Sequence, residues 1–122
     1  MEKNVLVIED EPIIAEMIGI ILEIQGLNVI SLSDTGRARD KLHSKEINLV
    51  LLDLNLRGEG GQEFCEYIKG QDDLKDIPVI LVSANIDIDQ IKEECHADDI
   101  IRKPFNIDDF MVKVSHYVET LA

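Results

Sequence analysis

Five polar residues in this 122-residue chain stand at or just beyond the ends of apolar runs, and their types suggest one shared chemistry. Glu9 and Asp10 follow Val5-Leu6-Val7-Ile8, Asp53 closes Leu49-Val50-Leu51-Leu52, Ser83 follows Val79-Ile80-Leu81-Val82, and Lys103 follows the short run around Ile100 and Ile101. Three carboxylates brought together repel, and each raises its neighbours' pKa unless a cation intervenes. Mg²⁺ meets that need, because it takes oxygen ligands, keeps several waters and commonly uses one or two carboxylates plus a phosphate oxygen. Asp10 and Asp53 would be direct ligands, Glu9 would hold a metal-bound water, and the backbone carbonyl of Asn55 would supply another oxygen. Asp53, at the centre, suits a nucleophile that accepts a phosphoryl group. Lys103 would neutralise oxygens of that group and Ser83 would donate a hydrogen bond to one of them.

For these residues to meet, the runs that carry them must lie side by side. Residues about 4 to 9 form an apolar, β-branched stretch without alternation, as a buried parallel strand requires. Behind it Ile13, Met17, Ile20, Ile21 and Ile24 recur at helical spacing, with Pro12 in a first-turn position and Gly26 just past the end. These isoleucines are expected mostly in the core, with one apolar edge left for a partner helix. The pattern repeats as a weaker strand at 27 to 32 and a helix at 35 to 44, then a strand at 48 to 53 and a helix at 61 to 70. It continues as a strand at 78 to 83, begun by Pro78, and a short helix at 87 to 95. A brief strand at 99 to 102 leads to a helix from 107 to about 120, with Phe110, Val114, Tyr117, Val118 and Leu121 on one face.

Five βα units predict an α/β fold: a flavodoxin-like five-stranded parallel sheet with helices on both faces. The first, third and fourth runs are the most continuously apolar and belong in the centre. The polar second run, with Asn28, Ser31 and Ser33 in or beside it, and the short fifth belong at the edges. The order 2-1-3-4-5 satisfies both, and it reverses direction between the first and third strands, where such sheets bind ligands beyond their carboxyl ends. Glu9, Asp10 and Asp53 border that crevice. After Asp53 the stretch Arg57-Gly58-Glu59-Gly60-Gly61 lets backbone approach closely.

Composition narrows the function classes. The formal net charge is −13, with 25 acidic against 12 basic residues, a field that repels phosphate backbones and anionic membranes. No direct nucleic-acid or membrane partner is expected, and no apolar run approaches the ~20 residues that span a bilayer. Cys65 and Cys95 lack metal-type spacing and suit helix packing, and no signal peptide is read at the start, so a reducing cytoplasm is the expected location. His43, His96 and His116 are scattered and expected to be exposed, which gives no transition-metal site. Asp72, Asp73, Lys75 and Asp76 read as a solvated loop, and Asp87 and Asp89 as a polar entrance to the fourth helix.

The motifs Val7-Ile8-Glu9-Asp10-Glu11, Leu51-Leu52-Asp53-Leu54-Asn55-Leu56 with Gly61, Val82-Ser83-Ala84, and Ala97-Asp98-Asp99 running into Lys103-Pro104-Phe105 occur in order and in register. On these the chain resembles a response-regulator receiver domain, as a single domain over residues 1–122. The resemblance implies transfer of a phosphoryl group to Asp53 from a phosphohistidine on a histidine kinase or phosphotransfer protein, with Mg²⁺ required. It also implies a signalling receiver that promotes its own phosphorylation and dephosphorylation, not a metabolic enzyme. It further implies a cis Lys103-Pro104 bond, a tuning role for Asn55 and Asn85, and pairing through the fourth and fifth helices if a weak homodimer forms in place of a monomer.

Four departures stand out. Ile100 occupies the switch position where the family usually has an aromatic that turns inward, His96 stands where it usually has glycine, and Arg57 where it often has proline. The stretch from Ser83 to Lys103 is about two residues short, which trims the fourth helix. These departures imply intact phosphorylation chemistry behind an unusual signalling surface.

Each residue has a bland reading when taken alone: Asp10 as a helix N-cap, Asp53 as a strand-end acceptor of loop amides, Ser83 as a turn former, Lys103 as a solvated charge. Two other functions fit the topology. A non-phosphorylated interaction scaffold would have no need of the complete acidic set. A flavin binder would place a phosphate-cradling loop where Glu9-Asp10-Glu11 stands. The chain is expected to end with its fifth helix and to signal to a protein target whose identity is open.

Overall fold

The computed structural model describes residues 3–56 and 58–119. Arg57 and Leu121 lie outside the described residues. Among the described residues ten elements alternate: β1 (Asn4–Ile8), α1 (Pro12–Ile24), β2 (Asn28–Leu32), α2 (Thr35–Ser44), β3 (Leu49–Leu52), α3 (Gly61–Gly70), β4 (Val79–Ser83), α4 (Ile88–Cys95), β5 (Asp99–Arg102) and α5 (Ile107–Glu119). All five strands are parallel in the order β2-β1-β3-β4-β5, as the apolarity ranking requires.

Strand periodicity sorts the core into two layers. Leu6, Ile8, Val50, Leu52, Val79 and Leu81 face one side, with Phe64, Cys65 and Ile68 of α3 and Ile88 and Cys95 of α4. Their neighbours Val5, Val7, Leu49, Leu51, Ile80 and Val82 face the other, with Ile18, Ile21 and Leu22 of α1 and Phe110, Val114 and Val118 of α5. Alternate residues of a strand point to opposite faces, so runs apolar at every position are required only where both faces are covered. The cysteines are packing residues: both are fully buried, and Cys65 Sγ lies 3.4 Å from the Cys95 carbonyl oxygen.

The helix ends explain two local choices. α1 closes on Gly26 at φ +81°, with the Leu27 amide bonded to Leu22 O and the Gly26 amide to Glu23 O, the paired pattern of a Schellman ending. α4 closes in the same left-handed way on His96 at φ +62°, with the Ala97 amide returning to Lys92 O. That backbone is why glycine suits the position, and histidine is tolerated there at a cost. α4 runs only from Ile88 to Cys95, in keeping with the shortened stretch.

One expectation needs correction. Of the α1 residues singled out by spacing, only Ile21 is buried, and the stripe Ile13, Met17, Ile20 and Ile24 is exposed. The core side of the helix is Ile18, Ile21 and Leu22, one residue around. α1 is apolar nearly all round, so spacing alone could not tell which stripe meets the sheet. The three histidines are exposed, as expected. So are Asp72, Asp73, Lys75 and Asp76 in the loop before β4, and Asp87 and Asp89 at the start of α4.

Candidate functional site

The strand ends bring the acids to one edge by register. Ile8 pairs with Leu52, and the Asp53 amide bonds to Ile8 O at 3.0 Å, which carries Glu9 and Asp53 out of the sheet side by side. Glu9, Asp10 and Asp53 each place a carboxylate oxygen within 4.8 Å of the others. Glu9 and Asp53 are buried, and Asp10 is half-buried. Asp10 is no N-cap: α1 is entered at Glu11, and no side chain caps it.

Lys103 reaches this cluster from the other end of the chain. Its amide bonds to Ser83 O at 3.0 Å, which fixes the β5 end against the β4 end. Its ammonium then lies 2.6 Å from Glu9 Oε1 and 3.4 Å from Asp53 Oδ2. Burial would lower an isolated ammonium's pKa, but the bonds to Glu9 and the charge of Asp53 outweigh it, and Lys103 is held above its ordinary value. Burial pushes the Glu9 carboxyl up, opposed by its bond to Lys103. The donor set, three carboxylates against one ammonium, suits a hard divalent cation.

Backbone amides complete the cradle. The Asn55 amide donates to Asp53 Oδ1 at 3.1 Å, and the Glu11 amide to Glu9 Oε2 at 3.2 Å. Ser83 is fully buried and its Oγ accepts the Asn85 amide at 3.1 Å, while Asn85 Oδ1 accepts the Asp87 amide at 2.8 Å and so shapes the entry to α4. The Asn55 side chain is exposed at the mouth. Lys103-Pro104 is cis. Ile100 is partly buried against the α3 and α4 layer, and its carbonyl accepts Lys113 Nζ at 2.8 Å.

Two further residues shape the loop beyond Asp53. A Cβ on Gly61 would lie 2.2 Å from the Asp53 carbonyl oxygen, so only glycine lets α3 begin this close to the acid. Arg39 of α2 bonds to Glu59 in the loop after Asp53 at 2.5 Å. Gly61 belongs to the Asp53 motif read from the sequence, and no local signal marks Arg39.

Residues 5–115 match the response regulator receiver domain family. This chain belongs to that family. As a receiver it is a signalling domain of two-component response regulators. It is 33% identical over 124 residues to the phosphate regulon transcriptional regulatory protein PhoB of Escherichia coli K12, covering 100% of this chain and 54% of PhoB. The chain thus spans about half the length of the curated relatives it matches. The receiver also superposes on the signal receiver domain of a signal transduction histidine kinase from Syntrophus aciditrophicus, with a TM-score of 0.89, 29% identity and coverage of 97% and 91% of the two chains. A further neighbour is the receiver domain of a sensor histidine kinase from Pseudomonas aeruginosa PAO1, with a TM-score of 0.85, 21% identity and coverage of 98% and 99%. That structure has a magnesium ion coordinated in its active site cleft. Among the described residues of this receiver, no helix is long and apolar enough to cross a membrane.

Proposed function

We propose that this receiver accepts a phosphoryl group on Asp53 from a phosphohistidine on a histidine kinase or phosphotransfer protein, and signals through protein contacts. The observation that carries the reading is the meeting of Glu9, Asp10 and Asp53 within 4.8 Å, with Lys103 Nζ bonded to two of them. Asp10 and Asp53, with the Asn55 carbonyl, would hold Mg²⁺, and Glu9 would hold one of its waters. A bound Mg²⁺ would supply positive charge for the oxygens of the transferring group.

The chain's own residues do the rest. Asp53 is held in orientation by the Asn55 amide on Oδ1; as the nucleophile it forms the new O–P bond while the P–N bond of the donor phosphohistidine breaks and the donor imidazole leaves. Lys103 neutralises a phosphoryl oxygen, releasing part of its hold on Glu9 and Asp53 as it does so. The Ser83 hydroxyl donates a hydrogen bond to another oxygen, and that pull on β4 is passed to Asn85 and the start of α4 through bonds already in place. Asn55 and Asn85 flank the approach of hydrolytic water and tune the phosphoryl lifetime. Ile100, beside α4, has no ring hydroxyl to bury, so the outward signal runs through the repositioning of α4 itself.

The exposed α1 stripe Ile13, Met17, Ile20 and Ile24, with Ile107 of α5 beside it, supports contact with a phosphodonor helix next to the site. Incubation with Mg²⁺ and acetyl phosphate, followed by intact-mass measurement, tests the central claim. Wild type should gain the mass of one phosphoryl group and Asp53→Asn should not. No adduct on wild type, or an equal adduct on the variant, defeats the reading and favours a constitutive interaction scaffold.

A further inference from the structure

Arg39 is held by groups on two other segments of the chain. From α2 its guanidinium lies 4.5 Å from the centre of the Tyr67 ring and 5.8 Å from that of Phe64, both on α3, within the range of cation–π attraction. Its Nη2 bonds to Glu59 Oε2 at 2.5 Å, and its Nε is buried with no hydrogen-bond partner among the described residues. A guanidinium that gives up a donor to burial is held by its other contacts, and Arg tolerates this better than Lys because it is weakly hydrated and planar.

What the pair holds is the loop between Asp53 and α3. Its described residues are 54–56 and 58–60, and in the second stretch Glu59 stands between Gly58, at φ +78°, and Gly60. Glycines give such a segment little rigidity of its own. The loop leads back to Asn55, whose amide orients Asp53 and whose carbonyl is the proposed metal ligand. Loop geometry therefore bears on the acceptor site, six residues from Glu59.

We propose that Arg39 is a positioning residue for this site: anchored on Tyr67 and Phe64, it clamps Glu59 and so holds the Asn55 side of the acceptor loop in its metal-binding geometry. This rests on the proposed function, since it assigns the clamp a role at the same site. Arg39 is not among the residues that would hold the metal or the phosphoryl group. It acts through Glu59.

The test is a double-mutant cycle with Arg39→Ala, Glu59→Ala and both together, read by Mg²⁺ titration calorimetry and by hydrogen exchange across residues 54–60 under conditions where each variant is folded. Either single change should weaken Mg²⁺ binding by roughly 3- to 10-fold and speed exchange of those amides. The double change should add little to either, because the pair acts as a unit. Arg39→Lys should rescue only in part, having the charge without the planar stack. Mg²⁺ affinity within twofold of wild type in both single variants overturns the clamp, as does full additivity. If wild type binds Mg²⁺ no better than Asp53→Asn does, the site reading itself is at fault and the clamp's role falls with it. Faster exchange with unchanged Mg²⁺ affinity would make Arg39 a loop anchor only, and also overturns the proposal.

Discussion

Lys103 Nζ lies 2.6 Å from Glu9 Oε1 and 3.4 Å from Asp53 Oδ2, so a single ammonium is shared between two buried carboxylates. Asp10 completes the group with a third acid. With all four ionised, three negative charges against one positive leave an excess of two. The arrangement is poised for added positive charge, and its cost to the metal-free fold should be measurable.

Removing one acid should stabilise the metal-free protein. Asp53→Asn keeps an oxygen to accept the Asn55 amide and deletes a charge from the cluster, so we expect a gain of about 0.5–2 kcal/mol at neutral pH in EDTA. The same change should erase most of the stabilisation that Mg²⁺ gives wild type, because a cation binds the folded state only where the acids converge. Thermal melts with EDTA and with MgCl₂ decide the matter. Equal Mg²⁺ gains for both proteins would show that the ion acts elsewhere.

Gly61→Ala should damage both fold and site. The new methyl would meet the Asp53 carbonyl oxygen at 2.2 Å and the Leu54 Cα at 2.8 Å, both rigid backbone. A loss of about 2–4 kcal/mol is expected, together with weaker Mg²⁺ binding as Asp53 is pushed from its place. Gly70→Ala, where a Cβ meets nothing within 4 Å, is the control and should be close to neutral. Chemical denaturation of the two variants makes the comparison.

His96→Gly should make the protein more stable. The residue holds φ +62° at the end of α4, where a side chain costs backbone energy that glycine avoids, and the imidazole is exposed. Some of the gain is offset by the greater freedom of glycine in the unfolded chain. A net gain of about 0.5–1 kcal/mol is expected from the denaturation midpoint; a loss would mean that the imidazole makes a contact worth more than the strain.

Stability should fall between about pH 10 and pH 12. Burial and the neighbouring Asp99 raise the Tyr117 phenol from 10.0 to about 12, and Lys103 is likewise raised above 10.5. A group with a raised folded pKa contributes fully below its unfolded value and loses that contribution as pH rises through the folded one. Tyr117→Phe forfeits the bonds to Asp99 Oδ2 at 2.9 Å and Asp98 O at 3.2 Å. Partial exposure keeps that loss near 0.5–1 kcal/mol at pH 7, and the variant should then show a shallower alkaline decline. Melts from pH 8 to 12, with phenolate absorbance followed in parallel, test this. Identical slopes for the two proteins would remove Tyr117 from the account.

Glu9 works at the acid end with the same sign. Its carboxyl is raised above 4.5, so the folded state holds that proton longer than the unfolded chain does. Through that window stability falls as pH rises, opposite to the usual ion-paired carboxylate.

The strands, the order of the sheet and the convergence of Glu9, Asp10, Asp53 and Lys103 were legible in the sequence for one reason. Each rests on a pattern within a few residues: apolar runs without alternation, helical spacing, a polar residue at a run's end. Parallel connection then leaves few topologies, so strand ends meet without any contact being known. The packing role of Cys65 and Cys95 belongs here too, whereas the left-handed turn at His96 is a finding of the backbone alone.

Other features required the packed structure. Which stripe of α1 meets the sheet is undetermined in a helix apolar nearly all round, and Ile18 and Leu22 fill the core in place of Ile13 and Ile20. Lys103 and Glu9 are 94 residues apart, and only the joint register of the sheet makes their bond. Arg39 and Glu59 share no periodic signal; they meet because α2 and α3 pack side by side over the same sheet face. Local propensity and spacing determine which elements form and which residues they carry to the edge. Tertiary packing decides which charges pair there, because that depends on ångström-scale distances between segments far apart in the chain.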